Sequence, residues 1–352
     1  MGYPPKAPPT PPPIQPQFLP PAAPPSAPQQ LDIFADSQDV MLRNDVVQAL
    51  QGQHAKAAQQ AWQRLDQDYP QDLALAPLAL LIQALAQLPG KPLPDLAALA
   101  GERQALRHRT APAAAAVFGP LDAKRWLAPL WRSMAQRSAH LVFQGTHADD
   151  HAAPLWLLAG DWTAAAQAVA GIESWRRIPA PLAWMTEARY RLGGLDGRDA
   201  INGPEGLPGH AAGAAPHDHY PAGAAPHDHR PAWPLLAELA WLAPERFDTL
   251  QCQLGDPLLA RLLRRFDAGF DGIGDASDLA WFPAWVLTDT PALAHLLGLT
   301  QPSLHSAPER GMRLLLDLLA LERQGRHHDL VARRKTLRDL CAPLYAAYMA
   351  SR

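Results

Sequence analysis

Apart from residues 1–30 and 201–232, the chain is a succession of apolar stripes at helical spacing, each about 10 to 18 residues long and closed by Pro or Gly. No convincing run of β-branched residues alternates with polar ones, so a sheet has nothing to be built from. The class is all-α. With 352 residues, 48% of them hydrophobic, and eleven Trp, the chain can bury a sizeable core. In 38–68, Val40, Val47 and Leu50 share a stripe; Gly52 interrupts it, and Ala58, Trp62 and Leu65 resume it before Pro70 stops it. This reads as a helical hairpin. Similar pairs run through 73–88 with 94–109, 147–159 with 161–172, and 308–324 with 327–349. Short connections make neighbouring helices antiparallel, and a run of pairs without a long crossover predicts a stacked α-solenoid rather than a closed bundle.

The spacing of Ala58, Trp62, Leu65 and Pro70 resembles the second helix of the tetratricopeptide repeat, with Leu where Ala is usual. A second stretch, GDWTAAAQAVAGI, is similar: Gly160, Asp161 and Trp162 resemble the inter-helix turn, and Ala165, Val169 and Ile172 the inward positions. A third copy is Gly325, Leu330 and Leu337, with Arg334 in the aromatic place. The likeness covers about a third of the chain, without a constant 34-residue period. It implies a superhelix whose concave surface holds peptides or partner helices.

Two stretches depart from this pattern. Residues 1–28 contain thirteen Pro and one charged residue, Lys6, and favour an extended, solvated leader. Residues 201–232 carry AGAAPHDH twice, ten residues apart, and read as a flexible insertion. The expected organisation is a disordered tail (1–30), a first helical block (31–200), the insertion (201–232) and a second block with a capping hairpin (233–352).

The insertion holds the sharpest metal candidate. His217, Asp218, His219 and His227, Asp228, His229, with His210 upstream, offer imidazole and carboxylate donors for Zn²⁺ or Ni²⁺, although a loop of this composition is not preorganised. His147 and His151, four apart beside Asp150, would share a helix face at ligand spacing. Thr146 with Asp149 offers a capping box as the competing explanation. Cys252 and Cys341 read as small core residues, too few for a disulfide framework.

Thirty-one Lys and Arg against 34 Asp and Glu give a net charge of −3, so no global field draws the chain to nucleic acid or an anionic membrane. Residues 309–352 are locally basic, nine Lys or Arg against five Asp or Glu. There Arg333, Arg334, Lys335 and Arg338 form a possible contact face, or the solvated side of the last helix. The Trp residues, including the pairs Trp126 with Trp131 and Trp281 with Trp285, read mostly as core. No hydrolase elbow, phosphate loop or zinc-protease helix occurs, and no export signal or membrane span is legible. The expectation is a cytoplasmic, non-catalytic scaffold or adaptor without a cofactor that binds a protein or peptide, with nucleic acid an unlikely partner. A metal-binding or metal-sensing protein and an enzyme with an inter-helix site are the alternatives.

Overall fold

A computed structural model describes residues 35–88, 90–195, 231–301 and 306–352. Among these residues every regular element is helical and there is no strand. The tail 1–30 and most of the insertion, with all six metal-candidate residues and His210, lie outside them.

The chain opens with α1 (Ala35–Gln51), α2 (Ala55–Asp68), α3 (Leu75–Ala86) and α4 (Leu96–Ala105). A π-helical turn, Leu106–Thr110, then carries α4 without interruption into α5 (Ala111–Phe118). After these come α6 (Pro120–Ser138), α7 (Ala152–Leu158), α8 (Trp162–Ala170) and α9 (Pro179–Gly193). Next are α10 (Trp233–Leu242), α11 (Pro244–Leu254), α12 (Pro257–Gly269), α13 (Phe282–Asp289) and the single turn α14 (Ala294–Leu297). The chain ends in α15 (Ala307–Arg323), α16 (His327–Leu340) and α17 (Ala342–Ala350).

Proline starts helices here as often as it stops them. Pro120, Pro179, Pro244 and Pro257 are first residues, while Pro112, Pro234, Pro283, Pro308 and Pro343 are second residues. In the first turn the missing N–H is not needed and the fixed φ is already helical. Pro112 falls inside the continuous run 96–118 instead. There the Ala111 N–H reaches back five residues to the Leu106 carbonyl, and the widened turn makes room for the proline ring against the preceding turn.

Of the four hairpins expected from spacing, the three that resemble the repeat close in one geometry. Gln53, Gly160 and Gly325 have φ of +56°, +73° and +68°. Each donates its N–H to the carbonyl three residues back, Leu50, Leu157 and Glu322, at 3.0, 3.1 and 3.1 Å. The next N–H in each case reaches the carbonyl five residues back, Ala49, Trp156 and Leu321, at 2.9, 3.0 and 3.0 Å. This pair of hydrogen bonds is the Schellman closure, and glycine meets its left-handed position without strain. The following residues, His54, Asp161 and Arg326, have φ/ψ of −97/80°, −97/79° and −85/66° before the new helix begins. Five residues beyond the turn, Ala58, Ala165 and Leu330 are buried; twelve beyond, so are Leu65, Ile172 and Leu337. Of the intermediate residues, Val169 is buried, Arg334 is half-buried, and half-buried Trp62 donates its indole N–H to the Leu75 carbonyl at 2.9 Å. Trp162 packs half-buried against the larger core, and Pro70 follows α2 in the turn leading to α3.

Packing is mostly between neighbours in sequence, as in α1 on α2, α5 on α6, α7 on α8, α8 on α9 and α15 on α16. Two apolar clusters result, and α7 stands between them. Its Leu155 belongs with the cluster of α1–α6, while Ala153 and Leu157 belong with the larger one, which continues on both sides of residues 196–230 to Tyr348. None of the eleven Trp is exposed.

Several local expectations are corrected. Val40 is 45% exposed, because Val46 and Leu50 carry the inner face of α1. The expected helix 327–349 breaks at Cys341, whose φ/ψ is −155/102°, since the Pro343 ring would collide with the preceding turn of a continuing helix. Helix 147–159 begins only at Ala152, and Thr146 lies in a short 3₁₀ turn instead of capping it. Cys252 is exposed and Cys341 only half-buried, so neither is a core residue.

Candidate functional site

The four cations expected to form one face on α16 are divided by the hairpin. Arg334 turns inward: its Nε donates to the Tyr348 hydroxyl at 3.2 Å and its Nη2 to Glu322 Oε1 at 3.3 Å. The Tyr348 hydroxyl donates to the same carboxylate oxygen, while Arg352 Nε lies 3.3 Å from Glu322 Oε2. Both guanidinium groups lie over the Tyr348 ring, 5.5 and 5.1 Å from its centre. Burial, then the Glu322 carboxylate, holds the Tyr348 phenol above its ordinary pKa. Arg334 is therefore part of a lock joining α15, α16 and α17.

Arg333, Lys335 and Arg338 remain exposed, with Arg333 3.8 Å from Asp317 and Arg338 3.5 Å from its neighbour Asp339. Arg333 also lines an open groove of about 540 Å³ between α15 and α16, together with Asp317, Gln324, Arg326, His328 and Asp329. Both signs of charge meet there, and the 2.5 Å Arg326–Asp329 pair satisfies part of each. Such a groove can hold polar peptide groups. A second open groove, about 460 Å³, runs along the alanines of α17 beside Gly269.

The larger core contains a charged cluster that periodicity did not anticipate. Glu238 on α10 is 3% exposed and Glu309 on α15 is fully buried. Glu238 Oε1 accepts the Gln301 N–H at 2.8 Å, and its Oε2 lies 3.5 Å from Arg176 Nε. That last contact is an ion pair without hydrogen-bond alignment, since Arg176 Nε has no hydrogen-bond acceptor. Glu309 accepts from Arg313 Nη2 at 3.2 Å. Burial pushes Glu238 above the ordinary carboxylate range and nearby Glu309 adds to the rise, against the Gln301 amide, Arg176 and Arg313. Neither groove reaches these side chains. Two carboxylates between two guanidinium groups brace α10, α15 and the 172–178 turn. The sequence signal was one acid inside the apolar run WPLLAELAWL.

His147 and His151 are not brought together as ligands. His147 is exposed, Asp150 receives Arg103 Nε at 2.9 Å, and His151 is 7% exposed. His151 is the N-cap of α7: its Nδ1 accepts the Ala153 N–H at 3.1 Å, and its ring stacks on Trp184 with Phe143 edge-on. Accepting that bond requires neutral imidazole, and burial lowers the His151 pKa to about 4. Since the folded value lies below the unfolded one, this stabilisation is complete above pH 6.5 and is lost as pH falls through about 4. We expect a loss of about 2 kcal/mol at pH 5 relative to pH 7.5. Urea denaturation at the two pH values measures it, and His151→Asn, which caps without titrating, should show a smaller difference.

Among the described residues no group of three or more His, Cys, Asp or Glu is placed to hold a metal ion, and no helix is long and apolar enough to cross a membrane. No family model, curated protein or solved structure matches the chain.

Proposed function

We propose that the chain is a non-catalytic helical-repeat scaffold, an α-solenoid built on a tetratricopeptide-like plan, which binds another protein or a peptide on its concave face. The observation that carries this reading is the recurrence of one Schellman closure, with the same inward positions after it, in three hairpins that share little sequence. Units of this kind bury their apolar flanks on their neighbours, and a stack of them presents a long preformed surface. Docking to a preformed surface loses little conformational entropy, so a few anchors suffice for affinity. The amphoteric α15–α16 groove with Arg333 offers such anchors to a polar segment. The cluster around Glu238 is closed and charge-compensated, which supports a structural role for it rather than a reaction.

Affinity capture with the full chain from extracts of its native cell, quantified by mass spectrometry, tests the reading. At least one protein should be enriched reproducibly over a bait carrying an unrelated helical domain. A bait that recovers no partner in repeated captures overturns it.

A further inference from the structure

We infer that the fold closes at Gly194 and Ala232, so that the 35 residues 196–230 are attached to the folded body at a single point and neither its core nor its docking surface depends on them. The inference goes beyond the scaffold reading, and its first half stands on packing alone.

The two ends meet. α9 stops where Gly194, with φ of +64°, donates its N–H to the Tyr190 carbonyl at 2.7 Å. The Gly194 carbonyl then accepts the Ala232 N–H at 3.4 Å, one residue before α10 begins. Leu195 and Ala232, which flank the intervening stretch, are both buried in the larger cluster. Helices whose ends touch in this way are ordinarily joined by about two to eight residues. Nothing in the spacing of α9 and α10 calls for more.

Contacts beyond the joint hold its two sides together. α9 packs on α10 and α11, and its Leu182, Met185 and Ala188 share one apolar cluster with Leu236, Leu239 and Ala240 of α10. The Tyr190 hydroxyl donates to Asp256 Oδ2 at 2.8 Å, and Asp256 is also the N-cap of α12. Arg191 Nη2 donates to the Gln253 carbonyl at 3.2 Å, and the Arg176–Glu238 pair crosses the same divide. An apolar core shared by two segments has the character of a permanent subunit interface, which needs no covalent link. What a connection contributes is local concentration, on the order of millimolar for a short linker, and lengthening it costs closure entropy only as the logarithm of its length.

Two forms of the full chain test this. In one, residues 198–229 are replaced by Gly-Ser-Gly-Ser. In the other, a recognition sequence for a site-specific protease is inserted after Gly213 and the purified protein is cut there. The shortened chain should keep the helical circular dichroism of the wild type and a Tm no more than about 3 °C below it. The cut chain, at about 10 µM, should elute with both fragments in one peak of the uncut mass by light scattering, and its urea midpoint should become dependent on protein concentration. A shortened chain that loses cooperative unfolding overturns the inference, as do fragments that separate or precipitate on cutting while the uncut insertion variant stays folded. Captures with the shortened chain as bait test the second half. A partner held by wild type should be held by the shortened chain, and its loss from a folded bait would place residues 196–230 in the docking surface and overturn their independence. No partner on either bait removes the scaffold reading and leaves the fold measurements to decide the joint.

Discussion

Glu238→Ala is expected to destabilise the fold by about 3 kcal/mol or more, because it leaves a buried donor and part of a buried charge cluster without their acceptor. The carboxylate receives the Gln301 N–H and faces Arg176, so truncation strips both at once and opens a cavity in the larger core. Glu238→Gln keeps an acceptor for Gln301 and most of the volume; its cost should be about 1–2 kcal/mol. Chemical denaturation followed by circular dichroism ranks the two, and equal effects would show that the acceptor oxygen contributes nothing. The pH dependence carries a second signature. Burial raises the pKa of Glu238, so its titration favours folding at low pH, and that contribution fades as pH rises through the raised value. The wild type should therefore hold its largest advantage over Glu238→Gln below about pH 4.5 and a smaller one at pH 7.

The helical class and the three hairpins were legible because they depend on neighbours in sequence. Gly160 and Gly325 mark left-handed closures directly, and the stripes after them fall where the buried residues fall. Gln53 occupies the same conformation although the glycine that marked this turn, Gly52, stands one residue earlier, and the resumed stripe at Ala58 and Leu65 placed its second helix. Local signals also misled. Pro343 sits in an alanine-rich run whose periodicity continues past it, so one helix was read where Cys341 separates two. The charged side chains were not legible. Arg334 looks like its basic neighbours until α17 brings Tyr348 against it, and the partner of Glu238 at position 301 lies 63 residues away.

Trp126→Ala should destabilise the N-terminal cluster by about 3–5 kcal/mol, the sum of lost burial and the cavity left behind. Trp126 is 6% exposed on α6, packs against Phe118 at 5.4 Å, and donates its indole N–H to the Leu50 carbonyl at 2.8 Å, 76 residues earlier. That carbonyl also accepts the Gln53 N–H in the Schellman closure, so one side chain ties α6 to the turn that closes the first hairpin. Trp126→Phe keeps much of the apolar volume but not the donor, and should cost about 1–2 kcal/mol. Native-state hydrogen exchange distinguishes a local from a global response. With α7 and half-buried Trp156 as the shared boundary of the clusters, the amides of Gln53 and His54 should exchange faster in Trp126→Ala, while those of Gly325 and Arg326, in the same motif within the other cluster, keep their protection. Equal acceleration at both turns would mean that α7 transmits the loss and that the two apolar clusters unfold as one cooperative unit.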